Sequence, residues 1–199
     1  MNVVLFGDSN TYGFNPLGDR YENRYSNILK RHFRNKINVY EEGLVGRTTI
    51  YDDLKRPNRR AIDDVDVILS KYNPIDLLII MLGTNDYKTV NARSKNDLRF
   101  GMESLLKKIN SLNINKILLI SPIHLSSDIH ELDNEYDYDS YLLSLDGGIV
   151  YENLAKDYNT LFLDASIYAK PGIDGEHLDE LGHFTLGKKI VGVIEELWK

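Results

Sequence analysis

The stretch Ile75-Asp76-Leu77-Leu78-Ile79-Ile80-Met81-Leu82 constrains the fold more than any other. It is almost unbroken in apolar residues and stops at Gly83. A strand with one wet face alternates apolar and polar residues. A continuous apolar run is instead the pattern of a strand covered on both faces, as in a parallel sheet sheathed by helices. A second run, Val3-Val4-Leu5-Phe6, also halts at a glycine and hands over to Gly7-Asp8-Ser9-Asn10-Thr11-Tyr12-Gly13, which opens a loop over 7–21. Elsewhere the apolar spacing turns helical. Tyr25, Ile28, Leu29 and Phe33 mark a helix over 22–34. Val65, Ile68, Leu69 and Tyr72 mark one opened by Pro57 and running to 71. Leu98, Met102, Leu105, Leu106 and Ile109 mark one over 94–112. Further strands are predicted at 38–41, 116–121 and 160–164, and further helices at 148–158 and 181–198. The last helix is expected to bury Phe184, Ile190, Val191, Ile194 and Leu197.

Strands that alternate with helices predict a parallel sheet with right-handed crossovers. Five strands at this spacing fit an α/β chain of the flavodoxin-like kind: a three-layer α/β/α sandwich with sheet order 2-1-3-4-5. The length of 199 residues predicts a single domain over 1–199. One segment departs from tight packing. Residues 123–146 are acidic, rich in tyrosine and without a clear period, so they read as an irregular, lid-like insertion. Its run Asp133-Asn134-Glu135-Tyr136-Asp137-Tyr138-Asp139 lacks the glycine and glutamate of a calcium-binding EF-hand loop, and reads as a solvated acidic loop.

Composition removes several function classes. There is no cysteine, so there is no disulfide framework and no thiolate metal site. Lys and Arg number 24 against 30 Asp and Glu, a net charge of −6, which disfavours a nucleic-acid partner. The pairs Lys55-Arg56 and Arg59-Arg60 read as solvated faces. No apolar run is long enough to span a bilayer, and no secretory leader pattern opens the chain. The expected location is cytoplasmic, with no membrane partner.

Ligands of open parallel sheets bind at the carboxyl ends of the strands, at the point where strand order reverses. Here that point lies between strands one and three. Ser9 and Asn85 should face each other there, with Gly46 arriving on the same edge after strand two. A serine hydroxyl is a poor nucleophile without a base. Of the five histidines, His32 reads as surface, His124 and His130 lie in the irregular segment, and His183 packs or caps the last helix. His177 is different, because it closes Asp174-Gly175-Glu176-His177. Three residues' separation across a glycine lets the carboxylate turn back onto Nδ1–H and leaves Nε2 free to take a proton. Strand alternation points Asp8 away from Ser9, where it should brace the loop. Asn10 is expected to limit an acyl pocket. Arg47 is expected either to bind an acid or sugar hydroxyl or to form a loop salt bridge. Tyr12 and the tyrosines of 136–141 form an aromatic platform for an alcohol portion, or pack the loop. A rival reading makes Ser9, Asn10 and Thr11 a phosphate cradle in a ligand-binding module, which leaves Asp174 and His177 without a role. Another makes the chain a catalytically silent interaction scaffold.

Four blocks taken together, Gly7-Asp8-Ser9, the glycine of Gly43-Leu44-Val45-Gly46, Gly83-Thr84-Asn85-Asp86 and Asp174-Gly175-Glu176-His177, resemble the SGNH (GDSL-like) hydrolase family over nearly the whole chain. Phe6 to Gly13, Glu41 to Thr49 and Leu78 to Asp86 are most similar to its arylesterase/acyltransferase branch. The resemblance implies Ser9 as nucleophile, His177 as general base and acid, and Asp174 as its orienter. It implies an oxyanion hole from the Ser9 and Gly46 backbone N–H groups and the Asn85 amide. The implied reaction is hydrolysis of short-acyl esters, above all acetyl, through an acyl-serine, with acyl transfer as a side activity and sugar deacetylation as a narrower form. No cofactor or metal is implied, and a small-molecule ester and a homo-oligomeric assembly are. The Gly-x-Ser-x-Gly elbow is absent. Residues 123–146 match nothing in the family pattern, so substrate choice does not carry over.

Overall fold

The structure is a computed structural model that describes Met1–Lys199. In chain order it contains β1 (Asn2–Gly7), α1 (Ser9–Tyr12), α2 (Tyr25–His32), β2 (Asn38–Gly43), α3 (Ala61–Ser70), β3 (Ile75–Met81), α4 (Lys95–Ile109), β4 (Ile114–Ser121), α5 (Ile129–Leu132), α6 (Tyr138–Leu145), α7 (Gly147–Asp157), β5 (Leu161–Asp164) and α8 (Glu180–Leu197). The strands form one parallel sheet in the order β2-β1-β3-β4-β5, the order expected from sequence.

The continuous apolar runs are continuous because both faces of the sheet are covered. Val4, Phe6, Leu78, Ile80 and Leu119 pack with Val65, Leu69, Leu98, Met102 and Leu154, on the side of α3, α4 and α7. Val3, Leu5, Leu77, Ile79 and Leu118 pack with Leu29, Leu186, Ile190 and Ile194, on the side of α2 and α8. Each such side chain taken fully out of water contributes about 1.5–3 kcal/mol. No helix is long and apolar enough to cross a membrane.

Several local expectations need correction. Residues 7–21 are not all loop, since α1 begins two residues after the strand ends. Pro57 does not open a helix. The Asp53 carboxylate accepts from Lys55 N and Arg56 N, which makes a turn there, and α3 starts at Ala61. The segment 123–146 is not irregular, because it carries α5 and α6. These helices, of four and eight residues, are too short to establish a period. A capping box starts α6, with Ser140 N–H donating to Asp137 Oδ1 at 2.8 Å and Asp137 N–H to Ser140 Oγ at 3.2 Å. Phe184 is 52 % exposed, because the buried stripe of α8 runs through His183, Leu186, Gly187, Ile190, Val191 and Ile194. One residue along a helix is about 100° around it.

What positions the site is close backbone contact at the carboxyl edge of the sheet. Gly7 is in register with Gly43 on one side and Met81 on the other. A Cβ on Gly43 would lie 2.3 Å from Tyr12 N and 2.6 Å from Tyr12 Cα, so α1 rests directly on the end of β2. Gly43→Ala should therefore push α1 off its seat. A loss of about 1–3 kcal/mol is expected in urea unfolding, the usual cost of overpacking. Unchanged stability would mean that α1 does not depend on this contact.

Candidate active site

Ser9 is the first residue of α1 and is 2 % exposed. Asp8 precedes it and turns inward, where its Oδ1 accepts from Asn10 N–H at 2.9 Å. Asp8 thus caps and braces the turn. Burial pushes its carboxyl up to about 6, against the opposing pull of the Asn10 N–H and of His177. Gly13 ends α1 in the left-handed region, at φ 82°.

His177 reaches Ser9 from 168 residues away, with Nε2 2.8 Å from Ser9 Oγ. Its Nδ1 is 2.7 Å from Asp174 Oδ2. Gly175, at φ 79°, lets the chain fold back so that Asp174 Oδ1 also accepts from His177 N at 3.0 Å. The Phe14 ring packs on the imidazole at a centroid distance of 4.5 Å. Burial works to lower the pKa of His177, but the Asp174 hydrogen bond and the charges of Glu176, Asp174 and Asp8 outweigh it, and the net direction is upward from 6.5. Burial also works to raise Asp174, and there the bonds and charge of His177 prevail and lower it. His183 makes no such contact. It is fully buried against Tyr21 and Tyr25, and burial, with Arg24 and His177 nearby, holds it down at about 3.

Gly46 and Asn85 arrive from the two neighbouring strand ends. Gly46 has φ 79° in the loop after β2. Asn85 lies in a 3-10 turn, Thr84–Tyr87, directly after β3. Its Nδ2 donates to Arg47 O at 3.1 Å, which joins the two loops. Asp86 joins them again by accepting from Thr49 N at 2.9 Å and from Thr49 Oγ1. Burial pushes the Asp86 carboxyl up to about 7 despite these donors.

Ser9, Gly46, Asn85, Asp174 and His177 all line one cavity of about 340 Å³. The three residues expected to bind substrate do not line it. Arg47 is 3 % exposed, with its guanidinium over the Phe6 ring at 4.3 Å and Nη1 donating to Gly7 O at 2.9 Å and to Glu42 O. Asn10 turns to the loop bearing His177 instead, where its Oδ1 accepts from Leu178 N–H at 2.7 Å and its Nδ2 donates to Glu176 O at 3.3 Å. Tyr12 lies under the Arg20 guanidinium at 4.1 Å. Of the tyrosines at 136–141, Tyr136 is buried and Tyr138 exposed.

The cavity has walls that the sequence reading missed. Phe14, Pro16 and Val45 are apolar, and Arg56, Lys88, Glu135 and Glu176 are charged. Arg56 was expected on a solvated face. It pairs instead with Glu135 at 2.8 Å and Asp53 at 3.2 Å, and buried Lys88 pairs with Glu135 at 2.7 Å and Asp53 at 3.2 Å. Burial works to raise Glu135, but Lys88 and Arg56 prevail and hold it at about 2. Of these four, only Glu176 carried a sequence signal, from its place in the Asp174–His177 block. No group of three or more His, Asp or Glu side chains is placed to hold a metal ion.

A hydroxyl bonded to an imidazole, whose other nitrogen bonds a carboxylate, is an arrangement able to generate a serine nucleophile. These residues meet at the carboxyl edge of the parallel sheet. Residues 5–185 match the model of the GDSL-like lipase/acylhydrolase family, and the chain belongs to that family. An aryl esterase of M. smegmatis is similar at 28 % identity and TM-score 0.89, covering 98 % of this chain and 99 % of that one. A carbohydrate acetylesterase from Sinorhizobium meliloti is similar at 27 % identity and TM-score 0.87, covering 99 % of each chain. A lipase/acylhydrolase from Enterococcus faecalis, at 22 % identity and TM-score 0.73 over 100 % of this chain and 97 % of that one, shares the fold. No curated protein sequence matches the chain.

The Asn10 side chain clips α1 to the loop bearing His177. Asn10→Ala leaves Leu178 N–H and Glu176 O without that partner. A buried group so orphaned costs about 1–3 kcal/mol. The expected outcome is a loss of that size in urea unfolding, together with weaker ester hydrolysis. Wild-type stability would show that the clip is not needed.

Proposed function

We propose that this chain hydrolyses small carboxylic esters through an acyl-serine formed on Ser9. One observation carries the reading: the hydrogen-bonded line from Asp174 through His177 to Ser9, at 2.7 and 2.8 Å, ends in a cavity that Gly46 and Asn85 also line. His177 Nε2 takes the Ser9 proton as Oγ attacks the ester carbonyl. The carbonyl oxygen gains the charge, among the Ser9 and Gly46 N–H groups and the Asn85 amide, the class of donor that contributes about 3–4 kcal/mol each. His177 then gives its proton to the leaving alcohol. Water, deprotonated by the same imidazole, attacks the acyl-serine; the bond from the acyl carbon to Ser9 Oγ breaks, His177 returns the proton to Oγ, and the acid leaves. Asp174 holds the ring orientation throughout and keeps no proton.

A cavity of about 340 Å³ lies at the low end for ligand sites, which supports a short acyl group such as acetyl. A second reading, removal of acetyl groups from carbohydrates, is favoured by the charged wall of Arg56, Lys88, Glu135 and Glu176, which offers donors and acceptors to a hydroxylated alcohol. The similarity to a carbohydrate acetylesterase supports it. The phosphate-cradle reading is the weaker one, because buried Asp8 and half-buried Asp174 oppose an anion beside Ser9.

Hydrolysis of p-nitrophenyl acetate tests the mechanism. Ser9→Ala and His177→Ala should each lose about 10⁴–10⁶-fold in kcat, and the double variant should be no worse, because such groups act as a unit. A Ser9→Ala protein as fast as wild type would sink the proposal. The active form of the base is neutral. Because the His177 pKa is raised, kcat/KM should fall as pH drops through a midpoint above 6.5. An acid limb centred below that value would contradict the assignment. A panel of acetylated sugars against aryl acetates separates the two substrate readings.

A further inference from the structure

His177 has a second carboxylate beside it. Glu176 Oε1 lies 3.6 Å from His177 Nδ1, the nitrogen that already bonds Asp174. That is too long for a hydrogen bond, and well inside the range at which an opposite charge acts on a buried group. Glu176 is held in place at its carboxylate and at its main chain. The Tyr136 hydroxyl, 40 residues away between α5 and α6, donates to Glu176 Oε2 at 2.7 Å. The Asn10 amide holds the Glu176 carbonyl. Tyr136 is 3 % exposed, so this donor is dry and fixed.

Glu176 also lacks any other reason to be charged. Its one ion-pair contact is with His177. The cations of the same cavity, Arg56 and Lys88, are engaged by Glu135 and Asp53. Burying a carboxylate without a cation is costly; a donor such as the Tyr136 hydroxyl offsets part of the cost, and a positive charge forming nearby lowers it further. The one positive charge that the proposed reaction creates is on the His177 ring.

We propose that Glu176 is a positioning residue: a second carboxylate, clamped by Tyr136, that shares with Asp174 the stabilisation of the imidazolium formed when Ser9 loses its proton. The inference rests on the Ser9–His177 reading above. In the step itself, the proton leaves Ser9 Oγ for His177 Nε2, and the positive charge spreads over the ring. Asp174 accepts the Nδ1–H bond and Glu176 supplies countercharge alone. Neither carboxylate takes the proton, which passes on to the leaving alcohol oxygen. The segment 123–146 thereby acts on the base through the Tyr136 hydroxyl.

The ring is faced by Asp174 and Glu176 from its own loop, by Asp8 at the β1–α1 junction and by His183 from α8. Glu176 is faced in turn by Asp174, by Asp133 and by Tyr136. Arg56, Lys88 and Glu135 line the same cavity. Burial pushes the Glu176 carboxyl up, while His177 and the Tyr136 donor oppose the rise. Protonation of Glu176 therefore weakens the hold of His177 on its own proton, and ionisation strengthens it.

The test is Glu176→Gln, which keeps the length of the side chain and an acceptor for Tyr136. Ring-proton NMR titration follows His177 directly, with its signal identified by its loss in His177→Asn. The expected result is a His177 midpoint at lower pH in Glu176→Gln than in wild type, and an acid limb of kcat/KM for p-nitrophenyl acetate that moves with it. Tyr136→Phe keeps the carboxylate but removes its donor, and should shift the midpoint the same way by less. An unshifted midpoint in Glu176→Gln overturns the proposal, and reduced activity at every pH without a shift would mark Glu176 as a brace. A shifted ring in a protein without esterase activity would support the pairing and overturn the esterase reading, so the two failures are distinguishable.

Discussion

The site depends on what happens around Gly7, the last residue of β1. Its carbonyl accepts from Leu44 N–H at 3.1 Å and from Arg47 Nη1 at 2.9 Å, which ties the loop bearing Gly46 to the first strand. The place where its side chain would be is filled from both sides, since a Cβ there would meet Met81 O and Thr11 Oγ1 at 2.1 Å each. Gly43, beside it in register, leaves room for the backbone of α1. Three strand ends can converge only because two glycines let main chain touch main chain. Ser9, Gly46 and Asn85 line one cavity as a consequence of that contact.

The second organising feature is electrostatic. Asp8, Asp174 and Glu176 all act on the His177 imidazole, and buried Asp86 lies close enough to feel the charge of Asp8. Burial raises Asp8 and Asp86, whereas the imidazole bond lowers Asp174. A buried cluster of acids is costly in isolation. Here backbone N–H groups, the Thr49 and Tyr136 hydroxyls and the imidazole offset part of that cost, Asp8 Oδ2 is left without a hydrogen-bond partner, and the cluster favours positive charge on the ring. On the far wall, Lys88 and Arg56 are neutralised by Glu135 and Asp53, so that wall offers hydrogen bonds without a strong net field.

The sheet was legible because its signals are local. Continuous apolar runs ending at Gly7 and Gly83 locate two central strands without any knowledge of their partners. The contact between Asp174 and His177 was legible for a similar reason, since a three-residue spacing across a glycine is a local geometry. The failures are long side chains and short helices. Arg47 was expected to bind substrate or to form a loop salt bridge, and it does neither, lying on Phe6 and bonding the carbonyls of Gly7 and Glu42. Arg56 was read as solvated, and it forms part of the cavity wall. The segment 123–146 was read as irregular, and it holds two short helices, of which α6 starts on the Asp137–Ser140 capping box and α5 has no side-chain cap.

The sequence alone determined the layers, the strand order and the residue types gathered at one sheet edge, because apolar period and glycine position act within a few residues of chain. Only the tertiary structure decided which polar groups meet. Asn10 finds the backbone at Glu176 and Leu178, Tyr136 finds the Glu176 carboxylate, and Lys88 finds Glu135. A hydrogen bond or ion pair acts over about 3–4 Å, and no spacing along the chain records that distance between elements joined by long stretches of intervening fold.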